Sequence, residues 1–384
     1  NLRAGNTGIR YMTDWECYEE LETRLGAPVS DFEKPSHYTR KQMRSMGRIA
    51  LMATVATEQA LEDAGLLGHE EIMDGRMGVS YGSSTGSTEA IADFGNMLLN
   101  HSSSNINANS YLKMMSHTAP VNIGVFFGLK GRVIPTSSAC TSGSQGIGYA
   151  YEAIKYGHQD LMVAGGGEEL CATEAAVFDT LYATSTRNEA PELTPRPFDK
   201  DRDGLVIGEG AATLILEERE HAIQRGASIH AEIIGFGTNS DGAHVTQPQV
   251  DTMYRAIALA LKQSGKRPQD IGYVSAHGAA TDRGDIAESH ATQRLFGNKM
   301  PISAFKSFTG HTLGACGALE ALVTIQMMNQ GWFHGTANLE NIDPECAQLN
   351  YLTGEGSEFE TNCVMSNNFA FGGINTSLIF TKES

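Results

Sequence analysis

The sequence predicts a layered α/β fold built from two related halves. Predicted strands and helices alternate along most of the 384 residues, a pattern typical of helices packed on the faces of a sheet. A hydrophobic content of 41% and 42 glycines fit a globular chain with an ample core and many tight turns. A faint internal repeat, in which a strand and a small-residue turn open a helix at both Cys140 and His311, indicates the two halves. We expect the halves to span 1–225 and 226–384.

Apolar periodicity and turn residues place the elements in order. In the first half they predict helices over 39–64, 87–99, 117–127 and 148–156, and strands over 76–81, 132–136, 161–166 and 211–216, with loops at 102–109 and 189–202. In the second half they predict strands over 230–236, 271–276, 301–305, 363–366 and 376–380, and helices over 252–263, 286–296 and 313–329. A glycine-rich segment, 367–375, joins the last two strands.

Composition excludes several classes of protein. No run of 18 apolar residues occurs, so we expect no membrane span, and the first five residues do not resemble a signal peptide. Six cysteines are scattered without a disulfide or zinc pattern, which favours a reducing cytoplasm. A net charge of −17 argues against nucleic-acid binding.

One basic segment stands out in this acidic chain. Residues 38–48 gather Arg40, Lys41, Arg44 and Arg48. A solvated helix face and a docking patch for an acidic partner explain this cluster about equally well.

Cys140 is the first candidate for chemistry. It lies on a sharp turn, rich in small residues, between the strand at 132–136 and a following helix. The positive end of a helix dipole favours the thiolate, the nucleophilic form of cysteine. A buried structural thiol is the alternative.

Two downstream histidines strengthen the case for catalysis. His277 and His311 each follow a predicted strand in a glycine-containing turn, and Lys306 lies five residues before the second. A cysteine nucleophile with histidine partners is the arrangement of acyl-transfer and protease sites.

These segments resemble the β-ketoacyl-[acyl carrier protein] synthases of the type I/II class, in the thiolase superfamily. The matching segments are 138–143, 276–278, 284–285, 306–311, 368–375, 197–204 and 208–210, which follow in order along essentially the whole chain. The resemblance implies a thiolase-like layered α-β-α-β-α architecture.

The family's reaction is a decarboxylative Claisen condensation. The resemblance implies that Cys140 carries the acyl group as a thioester and that backbone N–H groups of Cys140 and Phe371 form the oxyanion hole. His277 and His311 would donate hydrogen bonds to the malonyl thioester oxygen while Lys306, together with Glu320, fixes His311. The product would be a 3-ketoacyl thioester.

Further roles are also implied by the resemblance. Phe371, with Phe369 beside it, would form a gate between the acyl and malonyl states. Asp285 and Glu288 would hold the loop after His277. The substrate-binding positions would be Thr85, Thr246, Thr281, Gly372 and Gly373, and the carrier-docking residues Arg40, Lys41 and Arg44. No cofactor is expected, because the acyl carrier protein supplies the phosphopantetheine arm.

The chain departs from the family pattern at several places. The loop after the first histidine keeps only Thr281 of two usual threonines, and Ala370 replaces a glycine in the gating loop. Thr85, at the position that tunes acyl length, is neither isoleucine nor glycine, which suggests an acyl group other than a plain saturated chain. The family's usual first strand is absent, so we expect that the chain begins inside the intact protein.

No metal site is expected. Residues 199–204 imitate the start of a calcium loop, but its twelfth position is Gly210 rather than glutamate. The spacing of His277, His290 and His311 is not compact enough for a ligand set.

Alternatives remain open at this point. The pathway is fatty-acid elongation or polyketide or aryl-polyene synthesis. The resemblance implies a homodimer, with a heterodimer containing a chain-length-factor-like subunit as the alternative. A non-catalytic chain-length partner would lack Cys140, and a thiolase would carry a second catalytic cysteine where Phe369–Gly373 stands.

Overall fold

The computed structural model describes residues 1–383 and confirms the layered α/β fold. The strands are β1 Arg10–Tyr11, β2 Leu25–Ala27, β3 Met77–Gly82, β4 Val133–Thr136, β5 Leu161–Glu168, β6 Ile207–Gly208, β7 Gly210–Glu217, β8 Glu232–Ser240, β9 Tyr273–Ser275, β10 Pro301–Ser303, β11 Trp332–Phe333, β12 Asn350–Tyr351, β13 Ser357–Glu358, β14 Cys363–Ala370 and β15 Ile374–Thr381. The helices are α1 Arg40–Met43, α2 Arg48–Asp63, α3 Thr88–Asn100, α4 Ala108–Met114, α5 Thr118–Phe127, α6 Ser142–Lys155, α7 Ala172–Asp179, α8 Arg219–Gln224, α9 Val250–Ser264, α10 Asp282–Phe296, α11 Lys306–Thr309 and α12 Cys316–Gln330.

Two sheets share one strand pattern, so the two related halves are confirmed. The first sheet has the order β4-β3-β5-β7. Its first three strands are parallel, and β7 pairs antiparallel with β5. The second has the order β12-β10-β9-β14-β15-β8, and its segment β10-β9-β14-β15 repeats the same directions. Cys140 follows β4 and His311 follows the equivalent strand β10. The proposed boundary at residue 225 falls between α8 and β8 and stays a prediction.

Helices cover both sheets and separate them. Helices α2 and α5 pack on the outer face of the first sheet, and α9 packs on the outer face of the second, with α10 beside it. Helices α6 and α12 lie between the sheets, with α6 against β5 and α12 against β14. An apolar cluster surrounds these two helices and joins both sheets in one core. The result is five layers in the order α-β-α-β-α.

The central helices approach closely where each begins, because glycine removes the side chain. A Cβ atom at Gly143 of α6 would lie 2.8 Å from the carbonyl oxygen of Gly314. A Cβ atom at Gly317 of α12 would lie 2.7 Å from the backbone nitrogen of Ser144. Both distances are shorter than real Cβ contacts, so the two glycines allow the turns that carry Cys140 and His311 to lie side by side.

Several local predictions were wrong at their boundaries. The helix predicted over 39–64 divides into α1 and α2, because Ser45 leaves the helix and donates from Oγ to Asn122 of α5 at 2.7 Å. Helix α4 begins inside the predicted loop 102–109, where Asn107 caps it by accepting hydrogen bonds from the next turn. Helices α7 and α8 were not predicted. Among residues 1–383, no helix is both long and apolar enough to cross a bilayer.

Candidate active site

Cys140 lies on the turn between β4 and α6, and the turn is held by its own hydrogen bonds. Thr141 donates from Oγ1 to the carbonyl oxygen of Ser138 at 2.8 Å, and Ser142 donates from Oγ to that of Ala139 at 2.7 Å. Ala139 has a φ of 49°, a left-handed conformation that is strained for alanine. This turn places the sulfur of Cys140 at the end of a cavity while leaving the residue only 3% exposed.

The thiol of Cys140 is harder to ionise than its place in the sequence suggested. Burial raises the pKa of Cys140, although backbone N–H groups of Phe371 and Cys140 and the charge of Lys306 oppose that change. The charge of Glu168 raises it further. Burial thus opposes the thiolate that the start of the helix was predicted to favour, because the thiol is removed from water.

His311 donates to the sulfur. Its Nε2 lies 3.0 Å from Sγ of Cys140, and its Nδ1 accepts the backbone N–H of Leu313 at 3.1 Å. Since Nδ1 accepts, the proton of the neutral ring is on Nε2. Burial, followed by the charge of Lys306, lowers the pKa of His311 well below its usual value. The ring is therefore a neutral hydrogen-bond donor at the nucleophile.

His277 is held in the same tautomer by a different partner. Lys306 donates from Nζ to Nδ1 of His277 at 3.2 Å and to its carbonyl oxygen at 2.7 Å. Lysine has no acceptor, so Nδ1 is unprotonated and Nε2 carries the hydrogen. The His277 and His311 rings are 5.2 Å apart and nearly perpendicular. Burial lowers the pKa of His277 well below its usual value.

Lys306 belongs to a buried chain of charged and polar groups. It donates to Oε1 of Glu320 at 2.5 Å, and both side chains are 1% exposed. Glu320 also accepts a hydrogen bond from Nδ2 of Asn368 at 2.6 Å, a partner that the sequence analysis missed. The expectation that Lys306 fixes His311 is corrected. Of the two histidines, only His277 receives direct hydrogen bonds from Lys306.

Of the two acidic residues expected to hold the loop after His277, Glu288 bonds to its backbone, whereas the hydrogen bond of Asp285 goes to Phe198. The carboxylate of Glu288 accepts the backbone N–H groups of His277 and Gly278 at 2.7 and 2.8 Å. Asp285 accepts the backbone N–H of Phe198 at 2.8 Å. Burial raises the pKa of Glu288 to about 8 and that of Asp285 to about 6.

The reactive atoms of Cys140, His277 and His311 lie within 4.8 Å of one another. Such a set of one sulfur and two imidazoles suits zinc, and the fold creates a compactness that sequence spacing did not predict. The donor set nevertheless fits a metal poorly. Both Nδ1 atoms accept hydrogen bonds, so a metal at either Nε2 would have to displace the ring proton.

Phe371 sits at the turn between β14 and β15. Its backbone N–H lowers the pKa of the Cys140 thiol, and its ring packs edge-to-face on Phe178 at 5.8 Å, with 38% of the residue exposed. Gly372 and Gly373 have φ values of 94° and 75°, conformations that favour glycine. Phe369 is buried, with its ring 6.2 Å from that of His277.

A cavity of about 560 Å³ connects these groups to the surface. Thr246, Thr281 and Gly373 line it, together with Arg202 and Arg283, whereas Gly372 does not. Thr85 does not line it either. Its hydroxyl instead lies 3.3 Å from Oε1 of Glu168 and 3.3 Å from Oε1 of Glu174, two buried carboxyl groups that the sequence analysis missed.

The basic segment forms an exposed surface. Arg40 and Lys41 begin α1, Arg44 follows that helix, and all three are exposed. Among residues 1–383 none of them forms a salt bridge, whereas Arg48 binds Glu209 at 2.6 Å. Arg48 is thus paired within the fold, and the other three are free to contact a partner.

Comparisons with known proteins agree with this geometry. Residues 1–222 match the family model of the N-terminal domain of beta-ketoacyl synthases, and residues 230–340 match that of the C-terminal domain. The chain is 36% identical over 387 residues to 3-oxoacyl-[acyl-carrier-protein] synthase 2 of Synechocystis, covering 99% of this chain and 92% of the relative. It is 60% identical to a beta-ketoacyl synthase from Burkholderia phymatum of known crystal structure, with a TM-score of 0.99, covering 100% of this chain and 94% of that one. The ishigamide ketosynthase/chain length factor structure is 30% identical with a TM-score of 0.90, at the same coverage.

Proposed function

Because the chain belongs to the beta-ketoacyl synthase family, we propose that it condenses an acyl thioester with a malonyl thioester carried on acyl carrier protein. The reaction is decarboxylative and yields a 3-ketoacyl thioester two carbons longer. One observation carries this proposal. A thiol and one ring nitrogen from each of two histidines meet within 4.8 Å at the inner end of a cavity.

Acyl transfer is the first step. The sulfur of Cys140 attacks the thioester carbonyl, and the carrier thiol leaves with the proton that the cysteine gives up. We infer that the backbone N–H groups of Cys140 and Phe371, both of which lower the pKa of the Cys140 thiol, stabilise the oxyanion. Such a donor typically contributes about 3 kcal/mol to the transition state.

Decarboxylation and condensation follow. The malonyl C–C bond breaks, carbon dioxide leaves, and the electron pair becomes the enolate of the remaining acetyl thioester. Nε2–H donors of His277 and His311 stabilise the enolate oxygen, because charge develops there only in the transition state. The carbanion then attacks the Cys140 thioester, and the cysteine sulfur leaves and regains a proton.

The neutral state of the His277 and His311 rings suits hydrogen-bond donation to the enolate oxygen. A charged imidazolium is expensive to bury, and burial already lowers the pKa of each histidine. A neutral donor with a fixed tautomer strengthens its hydrogen bond as the enolate forms and needs no proton transfer. We infer that Lys306 fixes the tautomer of His277 and that the backbone N–H of Leu313 fixes that of His311.

We infer that the phosphopantetheine arm of the carrier lies in the cavity, past Thr246 and Thr281. The exposed cations Arg40, Lys41 and Arg44 would meet the acidic carrier, and no cofactor besides the carrier's arm is required. We propose that the chain forms a homodimer. The alternative is a heterodimer with a chain-length-factor-like subunit, as in the ishigamide ketosynthase/chain length factor.

Intact-protein mass spectrometry tests the acyl-enzyme. We expect one acyl group per chain after incubation with acyl carrier substrates, and none in Cys140→Ala, which should still release carbon dioxide from malonyl carrier. Cys171→Ala is the matched control and should acylate normally. Peptide mapping that places the acyl group on Cys171 or Cys316 would contradict the assignment.

The competing classes predict different results in the same experiment. A non-catalytic chain-length subunit would not be acylated, and the presence of Cys140 at the cavity end disfavours it. A thiolase would condense two acyl thioesters without carbon dioxide release, and Phe371 occupies the loop where that class needs a second cysteine.

A further inference from the structure

Arg283 belongs to the lining of the cavity that leads to Cys140, and no step above uses it. It is the second residue of α10 and lies two positions after Thr281, which lines the same cavity. Cys140, His277 and His311 are buried, whereas Arg283 is exposed. The arginine therefore lies towards the mouth of the cavity and the reactive groups at its inner end.

The charge of Arg283 is not used within the fold. Among residues 1–383 it forms no salt bridge, whereas Arg202, the other arginine in the cavity lining, binds Asp282, Asp285 and Asp343 at 3.3, 3.7 and 2.6 Å. A cation in the first turn of a helix is also opposed by the positive end of the helix dipole. The contacts of the fold therefore leave this guanidinium free to meet a ligand.

The acidic side chains of the cavity lining already have partners. The four pairs are Asp203 with Arg187, Asp282 with Arg202, Asp285 with the backbone N–H of Phe198, and Asp241 with Nδ2 of Asn375. Within the part of the lining that the structure describes, Arg283 is thus the one arginine or lysine without an acidic partner. An anion that enters the cavity meets this charge at the mouth.

On the basis of the proposed function, we propose that Arg283 binds the phosphate of the carrier's phosphopantetheine arm. The thioester end of the arm must reach Cys140, and the phosphate is at the opposite end, next to the carrier, so it lies near the mouth. A guanidinium binds phosphate oxygens through parallel N–H donors, and the opposite charges strengthen these hydrogen bonds. Arg283 is thus a positioning residue, which holds the arm and takes no part in bond making.

The test compares two small thioesters with the same acyl group, hexanoyl-phosphopantetheine and hexanoyl-pantetheine, which differ only in the phosphate. The readout is the rate of Cys140 acylation by intact-protein mass spectrometry at low substrate concentration. In the unmodified chain we expect the phosphorylated substrate to react about threefold to tenfold faster at low salt, and less so at high salt. Arg283→Gln should reduce that ratio to about one by slowing the phosphorylated substrate alone. Arg283→Lys keeps the charge and should retain part of the preference.

Arg255→Gln, which alters an exposed arginine of α9 outside the cavity lining, is the matched control and should leave the ratio unchanged. Equal rates for the two thioesters in the unmodified chain would overturn the inference, as would an unchanged ratio or an equal loss of both rates in Arg283→Gln. With acyl carrier protein as the donor, Arg283→Gln should slow acylation by a similar factor. A loss seen only with the carrier would show that Arg283 contacts the carrier's own acidic surface, and would also overturn the inference. Failure of every thioester to acylate Cys140 would instead overturn the proposed function itself.

Discussion

Replacing Lys306 by methionine tests two roles of this buried cation, the fixing of the His277 tautomer and the pairing with Glu320. Its Nζ donates to Nδ1 of His277 at 3.2 Å and to Glu320 at 2.5 Å. Methionine has a similar length and leaves no large cavity, so the variant removes the charge and the donor. His277 then loses the hydrogen bond that keeps its proton on Nε2, and Glu320 loses its counter-ion.

The structure sets the size of both effects. Lys306 and Glu320 are each 1% exposed, and removing one partner of such a buried pair costs about 3–5 kcal/mol of stability. Loss of one preorganised donor to a developing oxyanion lowers a rate about 10²-fold to 10³-fold, so malonyl decarboxylation should fall by that factor. Acylation of Cys140 should fall by about tenfold at most, because Lys306 reaches it only through its effect on the thiol pKa.

Three measurements on one protein preparation distinguish these effects. Carbon dioxide release reports decarboxylation, intact-protein mass spectrometry reports acylation, and urea unfolding reports stability. The double variant Lys306→Met with Glu320→Gln removes the stranded charge and should recover most of the lost stability while decarboxylation stays low. Lys155→Met, an exposed lysine on α6, is the control and should change none of the three.

Two results would refute the reasoning. Recovery of decarboxylation in the double variant would show that Lys306 acts on rate through stability alone. An equal loss of acylation and decarboxylation in Lys306→Met would show that the lysine does not act through the tautomer of His277.

Four further predictions concern stability and carrier binding. His334 is 1% exposed and burial lowers its pKa to about 4, so its neutral ring contributes stability above pH 6.5 that is lost as the pH falls towards 4. This contribution amounts to about 3 kcal/mol, and His334→Phe should remove it from the pH dependence of urea unfolding. Arg40→Glu with Lys41→Glu should weaken carrier binding, and titration curves identical to those of the unmodified chain would dismiss that surface. Gly143→Ala should destabilise by about 1–3 kcal/mol because its methyl group would lie 2.8 Å from a carbonyl oxygen. Gly95→Ala, where nothing lies within 4 Å, should stabilise α3 by up to about 1 kcal/mol. Thermal or urea unfolding checks both glycine variants.

Most strands and helices could be predicted from the sequence, because apolar periodicity and turn residues determine secondary structure through neighbours along the chain. Strands β3, β5 and β7 and helices α9 and α12 were predicted within a few residues. The break between α1 and α2 was missed because a contact with α5, 77 residues away, determines it. Strands β14 and β15 extend further than predicted because each pairs with the other almost up to Phe371.

Cys140, His277, His311 and Lys306 could be proposed as site residues from the sequence alone, because strand–turn–helix context is a local property and the segments that resemble the family contain them. Only the tertiary structure decided that Lys306 binds His277, that Glu168 and Glu174 lie beside Thr85, and that burial raises the pKa of the nucleophile. Cys140 and His311 are 171 residues apart, and their atoms meet at 3.0 Å because glycines let α6 and α12 begin side by side. Hydrogen-bond partners and desolvation depend on such packing, which no local pattern encodes.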